Sequence, residues 1–220
     1  MLHDSQLAKA RTFYMNGIEA QSAELDVDFL RGWEDGGHLF LHAHQRPSDG
    51  GPSQVTTDFF ATDDDGGFVE HVRVTSAFEG PNPSGRTQVD GATEITDLDR
   101  TEQNKAIVRS MIEDCLFPGA RADRIEDYFG EVYLQHNPNI GDGLEIVRKL
   151  AQSTEPSITY TEIVHLVGRG NFVASLCKAK SKTATYAQVD IMRLENGKIV
   201  EHWDVLQTLP VQSAHDNGMF

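Results

Sequence analysis

Two segments of the 220-residue chain repeat one another. Lys198-Ile199-Val200-Glu201-His202-Trp203-Asp204-Val205-Leu206-Gln207 has a worn counterpart in Phe68-Val69-Glu70-His71-Val72-Arg73-Val74, which keeps Glu-His but carries Val72 for Trp203 and Arg73 for Asp204. The match extends outward. Gly37-His38-Leu39-Phe40-Leu41-His42 lines up with Gly170-Asn171-Phe172-Val173-Ala174-Ser175 at an offset of 133, and Asp58-Phe59-Phe60 with Asp190-Ile191-Met192 at 132. Asn82-Pro83-Ser84-Gly85 aligns with His215-Asp216-Asn217-Gly218, again at 133. A repeat of this length confines the chain to two like units that bury faces against their own helices or against each other. The units are unequal, because Leu7-Ala8-Lys9-Ala10 aligns with Gln103-Asn104-Lys105-Ala106 at only 96, making the first unit shorter by 133 − 96 = 37 residues. The shortfall falls between about positions 20 and 34, opposite the part of the second unit that holds Tyr133-Leu134-Gln135-His136-Asn137-Pro138.

Local patterns supply the elements. Leu7, Ala10, Phe13, Tyr14 and Ile18 recur at helical spacing over residues 5–18. Residues 39–45, 53–61 and 67–76 read as strands, the last two joined across Asp63-Asp64-Asp65-Gly66-Gly67. A Pro/Gly-rich passage, Gly80-Pro81-Asn82-Pro83-Ser84-Gly85 through Gly91, is the linker, so the units are 1–96 and 97–220. In the second unit Asp99 or Thr101 caps a helix to about residue 115, a short helix spans 122–128, a strand 131–136 and a helix 144–152. Strands at 157–167, 172–181, 185–194 and 198–208 follow. Helices first and a long meander afterwards is an α+β layout.

The sharpest local signal is Glu195-Asn196-Gly197-Lys198, since Asn-Gly supplies the two positive-φ positions of a type I′ hairpin. A regular ladder from that turn sets Ile191 across from His202 and Val189 across from Asp204. Alternation places Val200, His202, Asp204 and Leu206 on one face, with Glu201, Trp203 and Val205 on the other. Asp204 then sits on a largely apolar wall formed with Val189, Ile191 and Leu206, where desolvation raises a carboxylate's pKa and makes it a better base near neutral pH. Trp203 is assigned to packing. His42, His44 and His71 suggest a three-histidine metal site, but the second unit has Ser175 and Cys177 at the positions aligned with His42 and His44, and no metal is expected. No Gly-rich phosphate loop, nucleophile elbow or Cys-His pair appears.

The formal net charge of −15 argues against nucleic acid and anionic membrane as partners. With no long apolar run and no basic segment leading an apolar one, the expected location is cytoplasmic. Cys115 and Cys177 read as reduced, partly buried hydrophobes.

Tyr133-Leu134-Gln135-His136-Asn137-Pro138, Gly141-Asp142-Gly143, Asp190-Ile191-Met192-Arg193, the Asn196-Gly197 hairpin and Glu201-His202-Trp203-Asp204 together resemble the SnoaL-like polyketide cyclase family of the NTF2-like superfamily. The resemblance covers the second unit nearly completely, and the first only through its helix and last strands. It implies a cone in which a curved antiparallel sheet wraps helices around an apolar pocket, one complete copy and one incomplete. It also implies cofactor-free acid–base chemistry on a small, mostly apolar carbonyl compound, of aldol-cyclisation or isomerisation type. Asp204 matches the family's general base and His136 a histidine near its pocket. His202 shares the face of Asp204 and could orient it, and Tyr133 could donate to an oxyanion. A non-catalytic ligand-binding or assembly protein on the same fold is the competing expectation. The first unit, with Arg73 at the Asp position, is expected to be structural and to pack as an intrachain pseudo-dimer or to help build a homodimer.

Overall fold

The computed structural model describes residues 2–19, 25–119, 121–153 and 157–210. The aligned segment His215-Asp216-Asn217-Gly218 lies outside them. The chain is α+β, with helices ahead of two twisted sheets. The first unit is helix α1 (Leu2–Glu19) followed by strands β1 (Leu25–Asp35), β2 (His38–Pro47), β3 (Gln54–Thr62) and β4 (Phe68–Ala77) in an antiparallel meander. The second begins with α2 (Thr101–Cys115) and α3 (Ile125–Tyr128), followed by β5 (Phe129–Gln135) and α4 (Glu145–Gln152). The strands β6 (Thr159–Arg169), β7 (Phe172–Lys180), β8 (Thr185–Glu195) and β9 (Lys198–Thr208) complete it. Its strand order is β5-β9-β8-β7-β6, with β5 parallel to β9.

Strand β1 was not legible in the pattern. Leu25, Val27 and Phe29 alternate with Asp26 and Asp28, but a register shift between Phe29 and Arg31 breaks the period of two before Trp33 restores it. Most of this strand lies within the interval 20–34, where the sequence alignment expected the first unit to be missing residues. Among the described residues β1 is the next element after α1, whereas α3, β5 and α4 stand between α2 and β6.

Both meanders bend at the same place. On β9 the ladder runs Glu195↔Lys198 and Leu194↔Ile199, then jumps to Arg193↔Glu201, leaving Val200 extra. On β4 it runs Thr62↔Phe68 and then Ala61↔Glu70, leaving Val69 extra. The Asn196-Gly197 turn forms as expected, with φ of 51° and 74°. The bulge that follows overturns the regular register: His202 opposes Met192 and Asp204 opposes Asp190. A slip of one residue exchanges the two faces of a strand, so Val189 and Ile191 belong to the other side of the sheet.

That other side is a shared core. Trp33, Phe40, Phe59, Val72 and Val74 of the first sheet pack on Phe172, Leu176, Val189, Ile191, Trp203 and Val205 of the second, all buried. α1 covers the first sheet's remaining face through Ala10 and Tyr14 against Leu39, Leu41 and Phe60. The linker crosses the seam between the units as a strap. Asn82 Nδ2 donates to the carbonyls of Gln135 and Ile140 at 2.5 and 2.9 Å, and Trp203 Nε1 to that of Asp90 at 2.8 Å. Gly91 allows this approach: at φ +92° a Cβ would lie 2.5 Å from Glu201 Oε1 and 2.6 Å from the Trp203 ring. Among the described residues no helix is long and apolar enough to cross a membrane.

Candidate active site

On the face of the second sheet away from the first unit, α2, α4 and the segment after α2 stand off the strands and leave a cavity of about 930 Å³. Met111, Leu116, Phe117, Ile146, Ile158 and Met192 supply much of its apolar wall. Its polar lining includes one hydrogen-bonded net built from Gln135, Asn137, Gln188, Asp190, His202 and Asp204.

The strands position this net by alternation. Gln188, Asp190 and Met192 of β8 face the cavity beside His202, Asp204 and Leu206 of β9, and Tyr133 and Gln135 project from β5. His202 Nε2 lies 3.0 Å from Asp190 Oδ1 and its Nδ1 lies 2.8 Å from Gln135 Oε1. Asp190 also accepts from the Tyr160 hydroxyl at 2.9 Å and from Gln188 Nε2 at 3.3 Å. Burial alone would lower the pKa of His202, but its bond to Asp190 and the charges of Asp190 and Asp204 outweigh burial and leave it raised.

Asp204 is held by one oxygen only. Its Oδ2 accepts from Asn137 Nδ2 at 2.7 Å and Gln188 Nε2 at 3.4 Å, whereas Oδ1 has no hydrogen-bond partner among the described residues. Burial pushes its carboxyl above the ordinary aspartate value against the pull of His202, and the neighbouring Asp190 adds to the push. Tyr133 accepts a bond from Gln135 Nε2 at 3.5 Å, which leaves its own O–H proton unspent. Burial holds the phenols of Tyr133 and Tyr160 well above their usual pKa, so both stay protonated donors.

Of the residues singled out from sequence, Asp204, His202, Tyr133 and Leu206 line the cavity. Val189 and Ile191 do not: the Val200 bulge turns them into the core between the sheets. His136 does not either. As the neighbour of Gln135 it points the opposite way, stacking on Trp203 at 4.5 Å with Nε2 3.0 Å from Glu201 Oε1 and Nδ1 2.7 Å from Asp90 Oδ1. There it joins Arg31, whose guanidinium lies 4.0 Å over Trp203, and Arg193, 2.6 Å from Glu201. His136 and Arg193 pull the Glu201 pKa down to about 2 against the effect of burial. His71 stacks on Phe60 toward α1, on the face opposite that of His42, so the three histidines do not converge.

Sequence reading missed Asp190, Gln188, Gln135 and Asn137. A usable signal was present: Asp58 and Asp190 align at 132 while His71 and His202 align at 131, which ties each aspartate to its Glu-His segment.

No protein-family model and no curated protein matches the chain. Three solved structures resemble part of it. A candidate ketosteroid isomerase from Kribbella flavida DSM 17836 is 13% identical, covering 54% of this chain and 87% of its own, with a TM-score of 0.45. The candidate polyketide cyclase IdmH from Streptomyces antibioticus is 18% identical over 48% and 92%, with a TM-score of 0.40. An NTF2-like protein of unknown function from Mesorhizobium loti is 19% identical over 50% and 94%, with a TM-score of 0.43.

Proposed function

We propose that the chain is a SnoaL-like acid–base catalyst that needs no cofactor and binds a mostly apolar carbonyl compound in the second unit's cavity. Asp204 removes a proton from the carbon next to the carbonyl, and the Tyr133 hydroxyl donates to the enolate oxygen that forms. The C–H proton passes to Asp204 Oδ1 and the electron pair moves onto the carbonyl oxygen; return of that proton from Asp204 to a different carbon of a conjugated enolate, as the carbonyl re-forms, completes an isomerisation. For an aldol closure the enolate carbon instead attacks a second carbonyl of the same molecule, the π pair of that carbonyl moves onto its oxygen, and the proton held on Asp204 passes to the resulting alkoxide. His202, paired to Asp190, orients the polar end.

The observation that carries this reading is the half-anchored Asp204. One oxygen is fixed by Asn137 and the other has no hydrogen-bond partner among the described residues, at the wall of a cavity of about 930 Å³, within the range of small-molecule sites. A purely ligand-binding role is the competing reading; the cavity suits both, and the Asp204 oxygen that has no hydrogen-bond partner among the described residues favours chemistry. We read the first unit as a truncated copy with a structural role. The shared meander order, the bulges at Val69 and Val200, and the paired Asp-His of each sheet support this.

The test follows α-proton exchange of neutral cyclic ketones in D₂O by NMR. Wild type should accelerate exchange, and Asp204→Asn should lose roughly 10²- to 10⁴-fold while still binding the ketone. Ketone binding without exchange in the wild type would establish the binding reading instead.

A further inference from the structure

The polar net fixes more than the position of Asp204. Gln135 Oε1 accepts from the backbone N–H of Asn137 at 3.3 Å and, at 3.1 Å, shares that of His136 with the carbonyl of His202, which lies 2.9 Å from it. Backbone N–H groups only donate, so the oxygen of this carboxamide faces them and the amide cannot be turned round. The same oxygen lies 2.8 Å from His202 Nδ1, which must therefore carry a proton. The other ring nitrogen faces Asp190 Oδ1 at 3.0 Å. Asp190 already accepts from the Tyr160 hydroxyl and from Gln188 Nε2, so its oxygens are turned toward donors. Both nitrogens of His202 thus donate, one to a neutral oxygen oriented by the backbone and one to a carboxylate.

We infer that Gln135 is a positioning residue that locks His202 as a standing imidazolium, so that His202 and Asp190 form a fixed neutral pair and Asp204 remains the site's proton acceptor. His202 on this account does not shuttle protons. Among the described residues the ionisable groups around it are Tyr133 from β5, Asp190 from β8 and Asp204 from β9, with Tyr160 and Cys115 farther round the cavity and Cys177 of β7 buried in the core within electrostatic reach of Asp190. Burial raises both thiols and both phenols, and among the described residues the acidic groups that face the ring are Asp190 and Asp204. The charge state stands on geometry alone; its consequence for turnover rests on the proposed function.

The experiment is ¹⁵N NMR of the histidine rings in the ligand-free full chain between pH 5 and 10, with His202→Gln to assign the signal. His202 should show two protonated nitrogens well above the pH at which free histidine deprotonates. Gln135→Leu should bring its titration down by about one unit, a tenfold loss of proton affinity. Gln135→Glu, which keeps the acceptor and adds charge, should move it up and remains informative where the leucine variant fails to fold. A wild-type His202 that is neutral at pH 7, or a titration that neither variant moves, overturns the inference. Because no substrate is involved, that failure is distinct from loss of Asp204-dependent exchange, which bears on the proposed function alone.

Discussion

The two sheets carry the same pair of residues and put it to different ends. On the third strand of each meander an aspartate, Asp58 or Asp190, lies beside a histidine of the fourth strand, His71 at 2.6 Å or His202 at 3.0 Å. Opposite the aspartate stands Arg73 in the first unit and Asp204 in the second. Arg73 Nε binds Asp58 Oδ1 at 2.7 Å and its guanidinium rests 4.0 Å from the ring of Tyr14, which α1 presses onto the sheet. The first group is closed by charge neutralisation and filled by a helix. In the second, two carboxylates share one histidine, and the helices stand back around a cavity. A buried carboxylate with its own cation is an anchor, whereas one without is a base in waiting.

This contrast can be broken from either side. Asp204→Asn gives the largest effect, the loss of roughly 10²- to 10⁴-fold in exchange rate described above. The same variant should be more stable than wild type at neutral pH by urea denaturation, because the folded state disfavours the ionised Asp204 that it replaces. Removing the aromatic partner that the sheets share is next: Trp203→Ala should cost about 3–5 kcal/mol in urea unfolding, from the lost burial and stacking against Phe172 and His136. Arg73→Met, which strips Asp58 of its cation, should cost about 3 kcal/mol while leaving the exchange activity of the second unit in place.

The pH dependence separates the units more gently. The pKa values of His202 and Asp204 are both raised in the folded chain above their ordinary 6.5 and 3.8. A raised group contributes stability that is complete below its unfolded value and is lost as pH rises through the folded one. For Asp204 that loss begins above pH 3.8, and for His202 it begins above pH 6.5. Unfolding free energy measured across the alkaline window should therefore fall with pH in wild type and more weakly in His202→Gln. The smallest effect is at the hairpin, where Gly197→Ala at φ 74° should cost about 1 kcal/mol by forcing a side chain into the left-handed region.

The helices, the strands 172–180 and 185–195, the last strand 198–208 and its hairpin turn were readable because each is a local pattern of period or turn chemistry. The faces of β9 were readable too, so Asp204, His202 and Leu206 were placed together and Trp203 apart from them. The partner face on β8 was not, because a single extra residue at Val200 exchanges Val189 and Ile191 for Asp190 and Met192. β1 was hidden for a related reason, as its own register shift interrupts the alternation that marks a strand.

His136 shows the same limit from the other direction. Its neighbours Gln135 and Asn137 line the cavity, while the intervening ring turns into the seam between the units. The sequence by itself determined the α+β class, the elements other than β1 and the chemical types available at the end of β9, since these follow from patterns a few residues long. Only the tertiary structure decided that Asp190 faces Asp204, that Gln135 Oε1 meets His202 Nδ1 at 2.8 Å and that the Asp58 group of the first sheet is closed by Arg73 and Tyr14. Those facts depend on bulges and cross-strand neighbours, which link residues far apart in the chain and leave no periodic trace along it.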